Sequence, residues 1–244
     1  MRKYFICCEV IQNEAEHVLG QLTTPIEVKY IGKGHHVTPS TLREEVQKAI
    51  DDAPAEAEVI LLGYGLCGKG LEGVVARKIP LILPRMHDCI SLLLGSAKAY
   101  AERFLADPGT YYYSPGWIEL WQEEEKGALS QQGYLGLGKT YEDYVEKYGE
   151  DNARYLMELE GEWAQKYTRA AYIDMGLEDQ GWEQKARAIA AENHWQFEKI
   201  AGSLRLLQML LAGPWPEDEF VHVPPGVKII ATGDDAILCP EGGK

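Results

Sequence analysis

Residues 58–64 read EVILLGY, an almost unbroken apolar run. A stretch of this length without polar alternation suits a strand buried on both faces, as in a parallel sheet covered by helices. Working outward, residues 79–83 form a second such run, which Pro84 closes. Upstream, Thr38-Pro39-Ser40 opens a helix, with Ser40 as the expected N-cap and Leu42, Val46 and Ile50 as its apolar stripe. Before it come strand-like residues 26–31, helix-like residues 13–21 and an apolar run at 4–10. Strands alternating with helices of this length favour a parallel sheet with crossover helices. The expected fold is α/β, a parallel Rossmann-like three-layer sheet.

The second half changes character. Residues 88–106 read as one helix, ended by Asp107-Pro108-Gly109, and an aromatic segment follows at 110–117. From Thr140 to Ala212 the pattern is helical almost throughout, with breaks at Gly149, at 176–181 and near Gly202. The Pro-rich stretch 213–216 then leads to two returning strands, at 220–223 and 227–231. The chain is therefore expected to be a single domain over residues 1–244. Its α/β core would span about 1–119 and 213–244, with a mostly helical insertion at about 120–212.

Composition narrows the function classes. The 244 residues are 45% hydrophobic and 25% charged, as in an ordinary globular protein. A formal net charge of −14 repels phosphate backbones and argues against a nucleic-acid partner. No apolar stretch approaches the roughly 20 residues of a membrane span, so no membrane partner is expected. Residues 4–8 are too short for a signal-peptide core, and Glu9 interrupts them. Five cysteines without regular spacing point to free thiols or metal ligands rather than a disulfide framework. The expected compartment is cytoplasmic.

Three segments stand out because each follows a predicted strand: Cys7-Cys8-Glu9, the glycine-rich run 63–70 (GYGLCGKG), and residues 84–89 (PRMHDC). In open parallel sheets, ligands bind outside the carboxyl ends of the strands. If these strands are neighbours, Cys8, Cys67, His87 and Cys89 meet in one crevice. Thiolate and imidazole groups are ligands for Zn²⁺ and for iron–sulfur clusters. The same crevice would draw Gly65, Arg85 and Asp88 into a ligand pocket, Arg85 facing an anionic group. The plainer readings are a core position for Cys7 and a helix start capped by Asp88 for His87 and Cys89. Tyr112 and Trp117 complete the expected pocket, set against a plainer role in packing the insertion. His35-His36 read as a solvated loop.

Residues 133–140 (GYLGLGKT) satisfy the P-loop expression G-x-x-x-x-G-K-[ST]. The mechanism of that motif requires a strand feeding the loop, and the acidic, glutamine-rich residues before it make none. The expectation is that Thr140 caps a helix over 141–148.

The runs GYGLCGKGLEGV (63–74), IPLILPRMHDCISLLLGS (79–96), PGTYYYSPGWIE (108–119) and EKYGEDNARYLME (146–158) resemble the uncharacterised family called domain of unknown function 1638. Cys8, Cys67, His87, Asp88 and Cys89 match that family's motifs, whereas Cys7 and Cys239 lie outside them. The resemblance implies a setting in anaerobic bacteria and methanogenic archaea, beside corrinoid-dependent methyltransferase systems. The expectation is thus a metal–thiolate protein of anaerobic one-carbon metabolism, a metal-dependent methyltransferase or a component of one, acting on a thiol or corrinoid. Zn²⁺ is the expected metal, with an iron–sulfur cluster or a corrinoid as alternatives. Zinc methyltransferases of this chemistry use a His-x-Cys pair and a distant Cys. Here the lone Cys precedes the pair, so the likeness is one of chemistry alone. The competing expectation is a module that binds or delivers a metal, cluster or corrinoid without turnover.

Overall fold

A computed structural model describes residues 1–124, 150 and 166–243. The chain divides into two compact units: Met1–Ala101 with Gly202–Lys244, and Glu102–Ala201.

The first unit is built on β1 (Lys3–Cys8), β2 (Glu27–Ile31), β3 (Val59–Gly63), β4 (Leu81–Pro84) and β8 (Phe220–Val223). They form a five-stranded sheet in the order β2-β1-β3-β4-β8. The first four strands run parallel, and β8 lies antiparallel to β4. The sheet is therefore mixed, though mostly parallel. Every residue of β3 is buried, which explains why its sequence shows no alternation. Gly63 ends this strand beside Cys7: an added Cβ there would lie 2.6 Å from the Cβ of Cys7 and 2.9 Å from the Phe5 ring. Each fully buried Leu, Ile or Phe here contributes about 1.5–3 kcal/mol of hydrophobic stabilisation.

Helix α1 (Gln12–Leu19) links β1 to β2, and α2 (Pro39–Asp51) links β2 to β3. Thr38, not Ser40, occupies the N-cap of α2, because Pro39 takes the first helical position that suits its fixed φ. The expected helix at 88–106 is two helices, α3 (Cys89–Leu93) and α4 (Ala97–Ala106). Gly95, at φ +73°, breaks it. Helix α7 (Arg205–Ala212) packs on β3 and β4 and touches α1. Of the returning strands, β8 joins the main sheet. The other, β9 (Ile229–Ala231), instead pairs antiparallel with β10 (Leu238–Pro240).

The second unit holds a parallel sheet in the order β5-β6-β7, from β5 (Thr110–Tyr113), β6 (Arg169–Asp174) and β7 (Gln196–Ala201). Helix α5 (Pro115–Glu124) follows β5, and α6 (Trp182–Glu192) connects β6 to β7 and packs on both. Tyr113, Tyr172, Trp182, Ala186 and Trp195 form its core, with Tyr111, Tyr167 and Phe197 against them. Two strands thus stand where the helical pattern was expected. Ala and Glu-Lys content favours helix locally, but Ala170, Ala171, Tyr172 and Ile173 are all buried between neighbouring strands, and that burial outweighs propensity. The helix ends at Asn193, and His194 at φ +58° turns the chain into β7. The boundary at Ala101 also puts β5 and α5, expected in the core, within the second unit.

Candidate functional site

The chain steps from β1 to β2 on one side and to β3 on the other, so the switch point of the first sheet lies between β1 and β3. The β1, β3 and β4 carboxyl ends each carry a cysteine into this region. Cys8 ends β1 and is buried, its Sγ accepting from the Val10 N–H at 3.5 Å. Cys67 sits in the loop after β3, where Cys67, Gly68 and Lys69 hold φ of 46°, 61° and 72°. Two non-glycine residues in the left-handed region mark a strained turn, held by surrounding contacts. Those contacts are specific. Leu66 N–H donates to Met86 O at 2.9 Å, Cys67 N–H to His87 O at 2.7 Å, and Gly70 N–H to Cys67 O at 3.0 Å. Gly65 permits the approach, because a Cβ there would lie 2.6 Å from Met86 O and 2.9 Å from the Asp88 nitrogen. After β4, Asp88 caps α3: its Oδ1 accepts from Ile90 N–H at 3.0 Å and Ser91 N–H at 3.3 Å. Cys89 is the first residue of that helix and is half-buried.

The three sulfurs are electrostatic neighbours. Burial pushes the Cys8 thiol far up, and nearby Cys89 and Glu9 add to the rise; the Val10 N–H and the Lys33 ammonium oppose it. Burial likewise drives the Cys67 thiol up, joined by Cys8 and Asp88 and opposed by the Gly65 N–H. The Asp88 carboxyl is raised by burial, against the pull of the Ser91 and Ile90 N–H groups, His87 and the Tyr100 hydroxyl. Both thiols are therefore neutral near pH 7, and becoming thiolates requires a compensating positive charge. Lys33, only 8% exposed at the end of β2, is a member of this neighbourhood that the sequence reading passed over. Its only local signal is its place directly after Gly32 at a strand end.

The other expected residues fall differently. His87 is exposed; its carbonyl receives the Cys67 N–H, and its imidazole acts on Asp88. Arg85 spends its donors on main-chain carbonyls: Glu217 O at 2.7 Å, Leu238 O at 2.8 Å and Ala236 O at 3.2 Å. It thereby ties the β10 segment to the end of β4. Tyr112 and Trp117 belong to β5 and α5 of the second unit. Cys7 contacts the α1 side, where Glu16 and Glu14 add to the rise that burial gives its thiol, and Cys239 is buried on β10. Residues 133–140 and 141–148 lie outside the described residues. A cavity of about 660 Å³ opens at the amino edge of the first sheet, lined by Lys3, Tyr4, Pro25, Ile26 and Leu211, and none of the site cysteines borders it.

The donor set suits a soft cation, since three thiols come from three strand ends. Among the described residues, however, no group of three or more His, Cys, Asp or Glu side chains stands as a ready-made metal site.

The first unit is thus a mixed, mostly parallel α/β sheet, with Cys8 at the end of β1 and Cys67 and Cys89 in the segments that follow β3 and β4. The chain belongs to the family described as protein of unknown function (DUF1638), which matches residues 30–211. Cys67, His87, Asp88 and Cys89 fall inside the matched range; Cys8 precedes it and Cys239 follows it. No curated protein and no solved structure matches the chain.

Proposed function

We propose that the carboxyl edge of the first sheet is a soft-metal–thiolate site of anaerobic one-carbon metabolism, serving methyl transfer to a thiol or corrinoid. The sheet in this reading is the centre of a Rossmann-like three-layer arrangement in a cytoplasmic protein. One observation carries the proposal: Cys8, Cys67 and Cys89, at or just after the ends of three strands, are electrostatic neighbours, and burial raises the thiols of Cys8 and Cys67. Thiols packed this way are inert alone, and a bound soft cation is the partner that makes thiolates of them. Cys8, Cys67 and Cys89 would hold it, with exposed His87 as the fourth candidate. Zn²⁺ or a comparable ion supplies Lewis acidity and lowers the pKa of a coordinated thiol. The chain's own residues do the rest: Gly65 lets the two loops close, Asp88 fixes the start of α3, and the Val10 N–H donates to the Cys8 sulfur.

Half-buried Cys67 and Cys89 favour a second reading, an exchangeable site that delivers its metal or cluster to a partner. Elemental analysis and an absorption spectrum of anaerobically purified protein test the main one. We expect about one metal per chain, lost in large part in Cys67→Ser and in Cys89→Ala but kept in Cys239→Ser. Wild-type protein that is metal-free without chelators, and that takes up neither Zn²⁺ nor Fe²⁺, refutes the proposal.

A further inference from the structure

The cavity of about 660 Å³ at the amino edge of the first sheet has no part in the thiol site. Its size lies within the roughly 300–1,000 Å³ of small-molecule sites. Crossover helices run antiparallel to the strands they join, so their C-termini gather at this edge. The lining reflects this: Leu22 and Pro25 follow α1, Pro54 follows α2, and Leu211 belongs to the last turn of α7. A helix C-terminus carries about half a negative charge. One cation of the chain is already drawn to it. The Lys3 ammonium donates to Leu211 O at 2.6 Å and to Ala212 O at 3.2 Å, and lies 5.5 Å from the centre of the Trp215 ring. The side chains add charge of the same sign. Glu27 and Glu56 line the cavity and are exposed, and neither carboxylate forms a hydrogen bond or an ion pair among the described residues. Glu27 stands beside Tyr4 in the register of β1 and β2, and Tyr4 is buried as part of the cavity wall. Burial raises the Tyr4 hydroxyl, and the Glu27 and Asp52 carboxylates add to the rise. Of the two basic side chains in the lining, Lys3 is held by α7, and only exposed Arg2 stands against the two carboxylates.

We propose that this cavity binds an organic cation, an amine with an apolar body, whose ammonium faces Glu27 and Glu56 while its carbon chain lies against Tyr4, Pro25 and Leu211. The site is independent of the function proposed above: it lies where β1 begins, whereas Cys8 ends that strand, and no site cysteine borders it. Burial of the carbon chain supplies the bulk of the affinity. Two exposed carboxylates together add about tenfold, a share that salt screens.

Isothermal titration of the full chain near neutral pH with n-hexylammonium, hexanoate and hexanol separates charge from bulk. Hexylammonium should bind about tenfold more tightly than hexanol, and hexanoate more weakly than either. The margin over hexanol should shrink at about 1 M salt, where the screening length falls to about 3 Å. A variant carrying both Glu27→Gln and Glu56→Gln should keep the wild-type melting temperature, because both positions are exposed, and should bind hexylammonium no better than hexanol. Cys67→Ser should bind hexylammonium as the wild type does; loss of binding there would move the amine to the thiol site and overturn the inference. So would hexanoate binding as tightly as hexylammonium, hexylammonium no tighter than hexanol in the wild type, unchanged affinity in the double variant, or no binding of any probe.

Discussion

Gly65→Ala is the sharpest test of how the site is held together. An alanine Cβ at this position would lie 2.6 Å from Met86 O and 2.9 Å from the Asp88 nitrogen. Both are main-chain atoms, so no side chain can swing aside; the two loops must part. Overpacking of this kind costs about 1–3 kcal/mol. Parting the loops also stretches Leu66 N–H to Met86 O and Cys67 N–H to His87 O, each worth about 1 kcal/mol. The expected loss is about 3–5 kcal/mol, read as a lower urea midpoint and a melting temperature down by about 10 °C. Gly68→Ala is the control: nothing lies within 4 Å of its added Cβ, and the price is only that of φ +61°, about 1–2 kcal/mol. A Gly65→Ala protein as stable as wild type, or less affected than Gly68→Ala, would show that the loops do not meet as described.

Burial raises the thiols of Cys7, Cys8 and Cys67, so the folded chain keeps protons that the unfolded chain releases near pH 8.5. Their stabilisation is full below that pH and falls as pH rises, by about 1.4 kcal/mol per pH unit for each thiol. Urea unfolding of reduced, metal-free protein from about pH 7 to about pH 9.5 should show this decline, shallower in Cys8→Ala, and a flat profile contradicts it. Arg85→Ala should destabilise the protein by about 2 kcal/mol, because three main-chain carbonyls lose their donor, and leave Co²⁺ affinity unchanged. Unchanged stability with lost affinity would instead place this guanidinium in the ligand pocket.

The main sheet was legible because EVILLGY and the run ending at Pro84 are buried on both faces and carry no competing pattern. The glycine-rich loop and the three cysteines were legible as strand-end residues, and their shared neighbourhood follows from the order β2-β1-β3-β4. The second sheet was not. RAAYID and QFEKIA are short and rich in helix formers, and only tertiary burial makes strands of them. The turn at Asn193-His194 was the local cue, since histidine is among the non-glycine residues enriched at positive φ, but no glycine or proline marks it. Arg85 illustrates another limit: a strand-end arginine looks the same in sequence whether it faces a ligand or, as here, the carbonyls of a distant hairpin.

The Cys7-Cys8 doublet has a consequence for sequence change. Successive strand residues face opposite sides, so Cys7 meets the α1 carboxylates while Cys8 meets Cys67 and Cys89. Inserting one residue early in β1 and letting the strand slide by one would present Cys7 where Cys8 now stands. Because Phe5 and Ile6 are both fully buried, each side of this strand already accepts apolar bulk. Such a frame slip would exchange one hydrophobic for another while keeping a sulfur at the crevice. In a half-exposed strand the same slip would put the core into water. Here the repeated cysteine makes β1 tolerant of an error in alignment at the place where the site needs a thiol.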